Sequence, residues 1–402
     1  MNPATRQVIY FDNNATTQVA PEVLDAMLPF LRERYGNPSS MHTFGGAVAH
    51  DVQRAREQVA ELIGASPEEI IFTSCGTESD STAIRSALEV RPGKRHIVTS
   101  RVEHPAVRGL CRWLADRGYR VTEIGVNNEG LLDLAEVEAA LTPDTAVVSI
   151  MAANNETGVL FPVERIAEMC RARGILFHTD AVQAVGKVPL DMRRNAIDML
   201  SLSGHKLHAP KGIGALYLRR GTPFQPLLIG GHQEQGRRAG TENTAYIVGL
   251  GKACEMARAA MAEETIRVRA LRDRLENGIL ERVPYTRLNG NREQRLPNTT
   301  NIGFKYVEGE AILLYLDQAG ICASSGSACT SGSLQPSHVL SAMGVPMAYK
   351  QGSIRFSLSR YNTEAEVDRA LEVIPQVIAR LREISPFGPG KKELLEAETT
   401  GH

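Results

Sequence analysis

One cysteine, Cys329, stands in SSGSACTSGS (Ser324–Ser333), ten residues of almost pure Ser, Gly, Ala and Thr. The run has no helical or strand period and cannot bury an apolar face. A structural cysteine behaves as a small hydrophobe and belongs in a packed core. Cys329 reads instead as an accessible thiol that can travel to a substrate and react as a thiolate. On composition alone, a surface loop with an incidental cysteine accounts for the run equally well. The other five cysteines, Cys75, Cys111, Cys170, Cys254 and Cys322, are scattered and form no CxxC pair. A zinc or thioredoxin-type motif is therefore unsupported, and a disulfide framework is not expected in a chain this long and poor in cysteine.

A second set of chemical residues follows one apolar run after another. EIIFTS leads into CGTESDS, where Gly76 and Thr77 open a helix whose backbone N–H groups suit a phosphate. HIVTS leads to His104, and AVVSIMA to Asn154, Asn155 and Glu156. ILFHTD ends on Asp180 with Gln183 close behind, and IDMLSLS ends on Ser203, followed by His205 and Lys206. Taken singly, His104 reads as a structural histidine and Asp180 as a helix cap. Taken together, they lie where open α/β sheets bind ligands, at the carboxyl ends of strands. The set matches what pyridoxal phosphate requires: a lysine for a Schiff base, a carboxylate for the pyridinium nitrogen and a phosphate cradle. Lys206 and Lys211 both compete for the lysine role.

The elements that must position these residues alternate between strand and helix from about residue 20 to 220. Pro21 starts a helix that stops at Gly36 and Pro38, and Val48, Val52, Ala55, Val59 and Leu62 mark the buried face of the next. Alternation of this kind predicts an α/β fold with a mostly parallel sheet and helices on both faces. A long charged helix is expected over roughly 244–283. Beyond it TTNIGFKY, GEAILLYL and SIRFSLS read as strands among the helices of a smaller α+β unit. The expected division is a large cofactor-binding domain over 15–260, a small domain from 1–14 and 261–385 carrying the Cys329 loop, and a flexible tail over 386–402.

The chain has 402 residues, 43% of them hydrophobic and 23% charged, with a net charge of −1. No basic field argues for nucleic acid, and no apolar run is long enough to span a membrane. The N-terminus MNPATRQVIYFDNN lacks the layout of a signal peptide. A cytoplasmic location is the expectation.

The motifs YFDNNATT, GNPSS, FTSCGTESD, VEHPAV, NNETG, HTDAVQAVGK, SGHKLHAPKGIGALYLRRG, GGHQEQGRRAGTEN, SSGSACTSGS and IRFSLSRY run through nearly the whole chain. Together they resemble the aminotransferase class V family of pyridoxal-phosphate enzymes, and within it the cysteine desulfurases. The wording DNNATT, SCGTESDSTAI, HKLHAPKG and RLPNT is most similar to the nitrogen-fixation branch. The resemblance implies the aminotransferase-like fold (fold type I) and a homodimer. It makes Lys206 the Schiff-base lysine and Asp180 the partner of the pyridinium nitrogen. Gln183 and Asn155 would address the phenolic oxygen, with His104 stacked on the ring. Gly76, Thr77, Ser203 and His205 would hold the phosphate, completed by Thr241 lent across the dimer. Arg355 would grip the substrate carboxylate, with Asn14 nearby.

Cys329 would take sulfur from L-cysteine as a persulfide, releasing alanine and passing the sulfur to an iron–sulfur cluster scaffold, in nitrogenase maturation. No intrinsic metal is expected. A selenocysteine lyase, an aminotransferase and a general-purpose sulfur donor for iron–sulfur clusters are the alternatives within the enzyme class. A sulfur carrier or scaffold with a vestigial site is the alternative outside it, and the complete set of Lys206, Asp180, Gln183 and His104 argues against that reading.

Overall fold

In the computed structural model, which describes residues 8–325, 337–386 and 388, the chain enters through a short strand, β1 (Ile9–Tyr10). The apolar runs that follow become the seven strands of one sheet: β2 (Ile70–Thr73), β3 (His96–Ser100), β4 (Arg120–Ile124), β5 (Thr145–Ser149), β6 (Leu176–Asp180), β7 (Met199–Ser203) and β8 (Gly214–Leu218). Their order across the sheet is β2-β8-β7-β6-β5-β3-β4. β8 runs antiparallel to both of its neighbours, and every other pairing is parallel. The expected mostly parallel sheet is present. Every residue of β2, β3, β5, β6, β7 and β8 is buried, because helices cover both faces of a sheet whose parallel strands need crossover connections.

A smaller antiparallel sheet has the order β12-β13-β10-β9, where β9 is Thr286–Leu288, β10 is Thr299–Phe304, β12 is Ser324–Ser325 and β13 is Ser353–Ser357. Beside it β1 pairs in parallel with β11 (Ile321–Cys322). The segment GEAILLYL departs from the strand expectation. It lies in a helix, Gly309–Gln318, that buries Ile312 and Leu316 and leaves Leu314 exposed. Spacing of four between buried positions is a helical signal, which a short, almost wholly apolar run conceals.

Two apolar cores are served by one helix, Thr244–Arg282. Its Ile247, Leu250, Cys254 and Ala257 pack with the core around the large sheet. Val268, Leu271, Leu275 and Ile279 pack with Phe11, Phe304 and Phe356 around the smaller one. Thus 39 continuous helical residues couple the sheet that carries Asp180 and Ser203 to the sheet that carries Arg355. Among the described residues, no helix is long and apolar enough to cross a membrane.

Candidate active site

The carboxyl ends of the parallel strands open into a cavity of about 280 Å³. Asn14, Gly76, Thr77, His104, Asn155, Asp180, Gln183, Ser203, His205, Lys206 and Arg355 all line it. The structure thus brings together eleven of the thirteen residues to which the resemblance gave a role, while Asn154 and Glu156, also singled out from the sequence, do not line the cavity. Of the thirteen, Thr241 is exposed on the segment before the long helix and does not line this cavity. Cys329 lies outside the described residues. Lys211, the rival lysine, is exposed and also absent from the lining.

Lys206 ends a short 3₁₀ turn, Gly204–Lys206, that directly continues β7. Its Nζ donates to the carbonyls of Asn14 and Ala15, each at 2.6 Å. The chain fixes those carbonyls through the Asn14 side chain. Its Nδ2 donates to Thr299 Oγ1 at 2.8 Å and to Asn155 O at 3.2 Å, and its Oδ1 accepts from Asn298 at 3.0 Å. Asn14 is therefore a hub whose amide is already committed to the protein.

Asp180 ends β6, and its Oδ1 accepts from Val182 N–H at 2.9 Å. Burial pushes the carboxyl up, while His104, the Val182 N–H and Lys206 pull it back. A second carboxyl, Asp80, lies in the same cavity wall, pushed well above its usual range by burial and then by Asp180. Its Oδ1 is 3.6 Å from His178 Nε2. Burial holds His178 down to about 3, so this contact is not an ion pair. Both carboxyls are raised by burial, Asp80 the more strongly, and of the two Asp180 is the one that His104 and Lys206 draw back toward the charged form.

His104 caps the helix Pro105–Ala115, its Nδ1 accepting from Ala106 N–H at 3.2 Å. Burial holds it below the ordinary histidine range, Asp180 raises it and Lys206 lowers it. His205 is held down to about 4 by burial and then by Lys206, Lys211 and Lys187. Both imidazoles are therefore neutral in the physiological range, suited to stacking and hydrogen bonding.

The phosphate-cradle candidates surround the start of the helix Gly76–Glu89. A Cβ on Gly76 would come within 2.8 Å of Val182 Cγ2, so only glycine lets this turn approach the segment after Asp180. Helix geometry leaves the first N–H groups without intrahelical partners. Ser203 Oγ and Gln183 Oε1 are buried without hydrogen-bond partners, an arrangement that costs stability unless a bound polar group satisfies it. A lysine, a carboxyl drawn toward its charged form by that lysine, a neutral imidazole, a helix N-terminus and orphaned polar atoms facing one cavity fit pyridoxal phosphate.

Arg355 arrives from the smaller sheet on β13. Its Nη2 donates to Asp12 Oδ1 at 2.8 Å and its Nη1 to Asn155 O at 3.0 Å, while Nε is buried without a partner. Guanidinium carries five N–H groups, and these two bonds leave three for a carboxylate. The described residues on either side of 326–336 pair with Arg355 and with Glu156, the neighbour of Asn155. Ser324 lies opposite Arg355 in the β12–β13 register, and Ser337 Oγ donates to Glu156 Oε2 at 2.5 Å.

Sequence reasoning missed Cys75 and Asp80, which line the cavity, and Asp12 and Glu103, which bond to the lining residues Arg355 and Met151. Cys75 lines the cavity at the helix N-cap. Asp80 carried a signal, since it lies four residues after Gly76 and so one turn along the same helix face. Glu103 is wholly buried, accepting from Ser100 Oγ at 2.5 Å and from Met151 N–H at 3.1 Å.

The family model for aminotransferase class-V matches residues 9–370. A cysteine desulfurase of Trichormus azollae is 61% identical over 391 residues, covering 97% of this chain and 98% of the relative. The cysteine desulfurase NifS of Azotobacter vinelandii is 58% identical over 383 residues, covering 95% of each chain. Among solved structures, a NifS-like protein with 40% identity superposes with a TM-score of 0.88, covering 93% of this chain and all of the other. The family and the fold implied by the motifs are both borne out. The chain belongs to the aminotransferase class-V family, in the branch of the cysteine desulfurases.

Proposed function

We propose that this enzyme, a cysteine desulfurase by family, works on pyridoxal phosphate and moves sulfur from L-cysteine to Cys329, releasing L-alanine. The observation that carries the reading is the single cavity in which Lys206, Asp180, His104 and Arg355 converge. When bound, pyridoxal phosphate supplies an electron sink for bonds at the substrate's α and β carbons. Asp180 would pair with the ring nitrogen, and neutral His104 would stack on the ring. Gly76, Thr77, Ser203 and His205 would hold the phosphate, and Gln183 and Asn155 would address the ring oxygen. Lys206 Nζ would anchor the cofactor and, once released, would be the group able to carry a proton. Arg355, with N–H groups left over from Asp12 and Asn155, would take the substrate carboxylate.

The Cys329 thiolate forms the new sulfur–sulfur bond as the substrate's carbon–sulfur bond breaks. Thiolate, cysteine and one proton become persulfide and alanine, so no outside oxidant is required. In this reading the enzyme is a cytoplasmic homodimer, Thr241 completes the phosphate cradle of the other subunit, and an iron–sulfur cluster scaffold receives the sulfur. Similarity to NifS over 95% of both chains favours nitrogenase maturation as the destination. The domain division at 260/261 belongs to the same proposal, supported by the two cores that share one helix.

Adding L-cysteine to the holoenzyme tests the function. Alanine is expected in step with sulfur bound to protein. Release of a keto acid would indicate an aminotransferase, and turnover of selenocysteine alone would indicate a lyase.

A further inference from the structure

Two residues with strained backbone precede the segment that carries Thr241. Glu234 has φ 49° and Gln235 has φ 58°, left-handed values that cost a non-glycine residue energy. Glu234 is nevertheless buried, and its carboxylate accepts from Arg56 Nη1 and Nη2, both at 2.7 Å, and from Phe72 N–H at 3.0 Å. Arg56 is also buried, donates to Ile70 O at 2.8 Å and lies 4.6 Å from the Phe72 ring centroid. A bidentate pair with these extra bonds tolerates one geometry and is costly to break from one side.

Further ties follow along the segment. Gln233 Oε1 accepts from Gly240 N–H at 3.1 Å, and Arg237 donates to Glu68 O at 2.8 Å. Arg238 forks onto Glu78 at 2.9 and 3.3 Å, one residue after Thr77 in the proposed phosphate cradle. Residues 234–240 are thereby fastened to β2 and to the first turn of the Gly76 helix of their own subunit. Immediately beyond, Thr241 is exposed, and Glu242 Oε2 is buried with no hydrogen-bond partner in the single chain.

We propose that Arg56 and Glu234 are positioning residues: their buried pair, assisted by the Arg238–Glu78 fork, holds residues 237–242 in the shape that delivers Thr241 to the cofactor site of a second copy of this chain. The proposal rests on the reading of Thr241 given above. It differs from a merely structural role in one respect. The defect left by breaking the pair must show at the other subunit's site, not at the broken subunit's own.

Differently tagged chains co-purified as heterodimers separate the two cases, with borohydride-trapped pyridoxyl on Lys206 and cofactor dissociation as readouts. In the Glu234→Gln homodimer every site faces a loosened arm, and cofactor retention should weaken about tenfold or more. Pairing the Glu234→Gln chain with a Lys206→Ala chain leaves one live site, served by an intact arm, and retention there should return to the wild-type value. Pairing wild type with a Glu234→Gln/Lys206→Ala chain leaves one live site served by the loosened arm, and retention there should be as poor as in the mutant homodimer. The opposite pattern, or unchanged retention in every pairing, overturns the proposal. Arg238→Met, which leaves the buried pair intact, goes through the same pairings if Glu234→Gln does not fold, with the same trans pattern expected. Thr241→Val provides the reference. If it acts in trans and the Glu234 and Arg238 variants act in cis, this inference alone fails. If Thr241→Val has no trans effect, or the protein sediments as a monomer, the reading beneath it fails as well.

Discussion

Asp12 Oδ1 and Arg355 Nη2 lie 2.8 Å apart, joining residues 343 positions apart in the chain behind the cavity that Arg355 lines. Arg355 is almost wholly buried, so Asp12 supplies the counter-charge that lets a guanidinium remain there and fixes the direction of its remaining N–H groups. Asp12→Asn should loosen that aim without touching the cradle. The KM for cysteine is expected to rise about tenfold, with kcat less affected and the bound-cofactor spectrum unchanged. An unaltered KM would remove Asp12 from the account of substrate binding.

Lys206 and Lys211 are five positions apart, yet only Lys206 lines the cavity. Borohydride reduction of the holoenzyme followed by peptide mapping should place the pyridoxyl group on Lys206. Lys206→Ala should fold, bind the cofactor without covalent attachment and produce no alanine. A pyridoxyl group on Lys211 would refute the assignment.

Glu103 has a carboxyl pushed up to about 8, chiefly by burial and despite hydrogen bonds from Ser100 and Met151. The folded protein therefore binds a proton that the unfolded chain, with an ordinary glutamate near 4.3, has lost. By linkage, this contribution is fully present below the unfolded value and is lost as pH rises through about 8. Buried neutral histidines such as His205, held down to about 4, act in the opposite direction and withdraw stability as pH falls below about 6.5. Glu103→Gln should remove the alkaline component, so its Tm should fall less than that of the wild type between pH 6 and 9. Parallel Tm curves would show that Glu103 does not carry the proton.

The parts of the site that the sequence makes legible are those set by local order. Asp180, Ser203 and Lys206 end or follow apolar runs of strand length, and a parallel sheet gathers such ends on one edge. Gly76 and Thr77 announce a helix start by their types. Asp12 is not legible in this way, because its role depends on pairing between the N-terminal segment and β13. Glu103 is hidden for another reason: a glutamate before a histidine gives no sign that it is wholly buried and holds the Met151 N–H. GEAILLYL misleads because an apolar run of that length fits a strand or a helix, and only packing of Ile312 and Leu316 decides.

Sulfur transfer to Cys329 is the central claim, and one variant tests it most directly. Holoenzyme carrying Cys329→Ala, given L-cysteine, should show a spectral change as substrate meets the cofactor. Alanine production should fall by at least about a thousandfold, since a thiolate must accept the sulfur; Cys75, which also lines the cavity, is the rival thiol, and Cys75→Ala alone should leave turnover intact. Of the remaining cysteines, Cys111, Cys170 and Cys254 are buried, with thiols pushed up to about 12, and cannot substitute. Alanine production by the Cys329→Ala protein at the wild-type rate would contradict the persulfide mechanism.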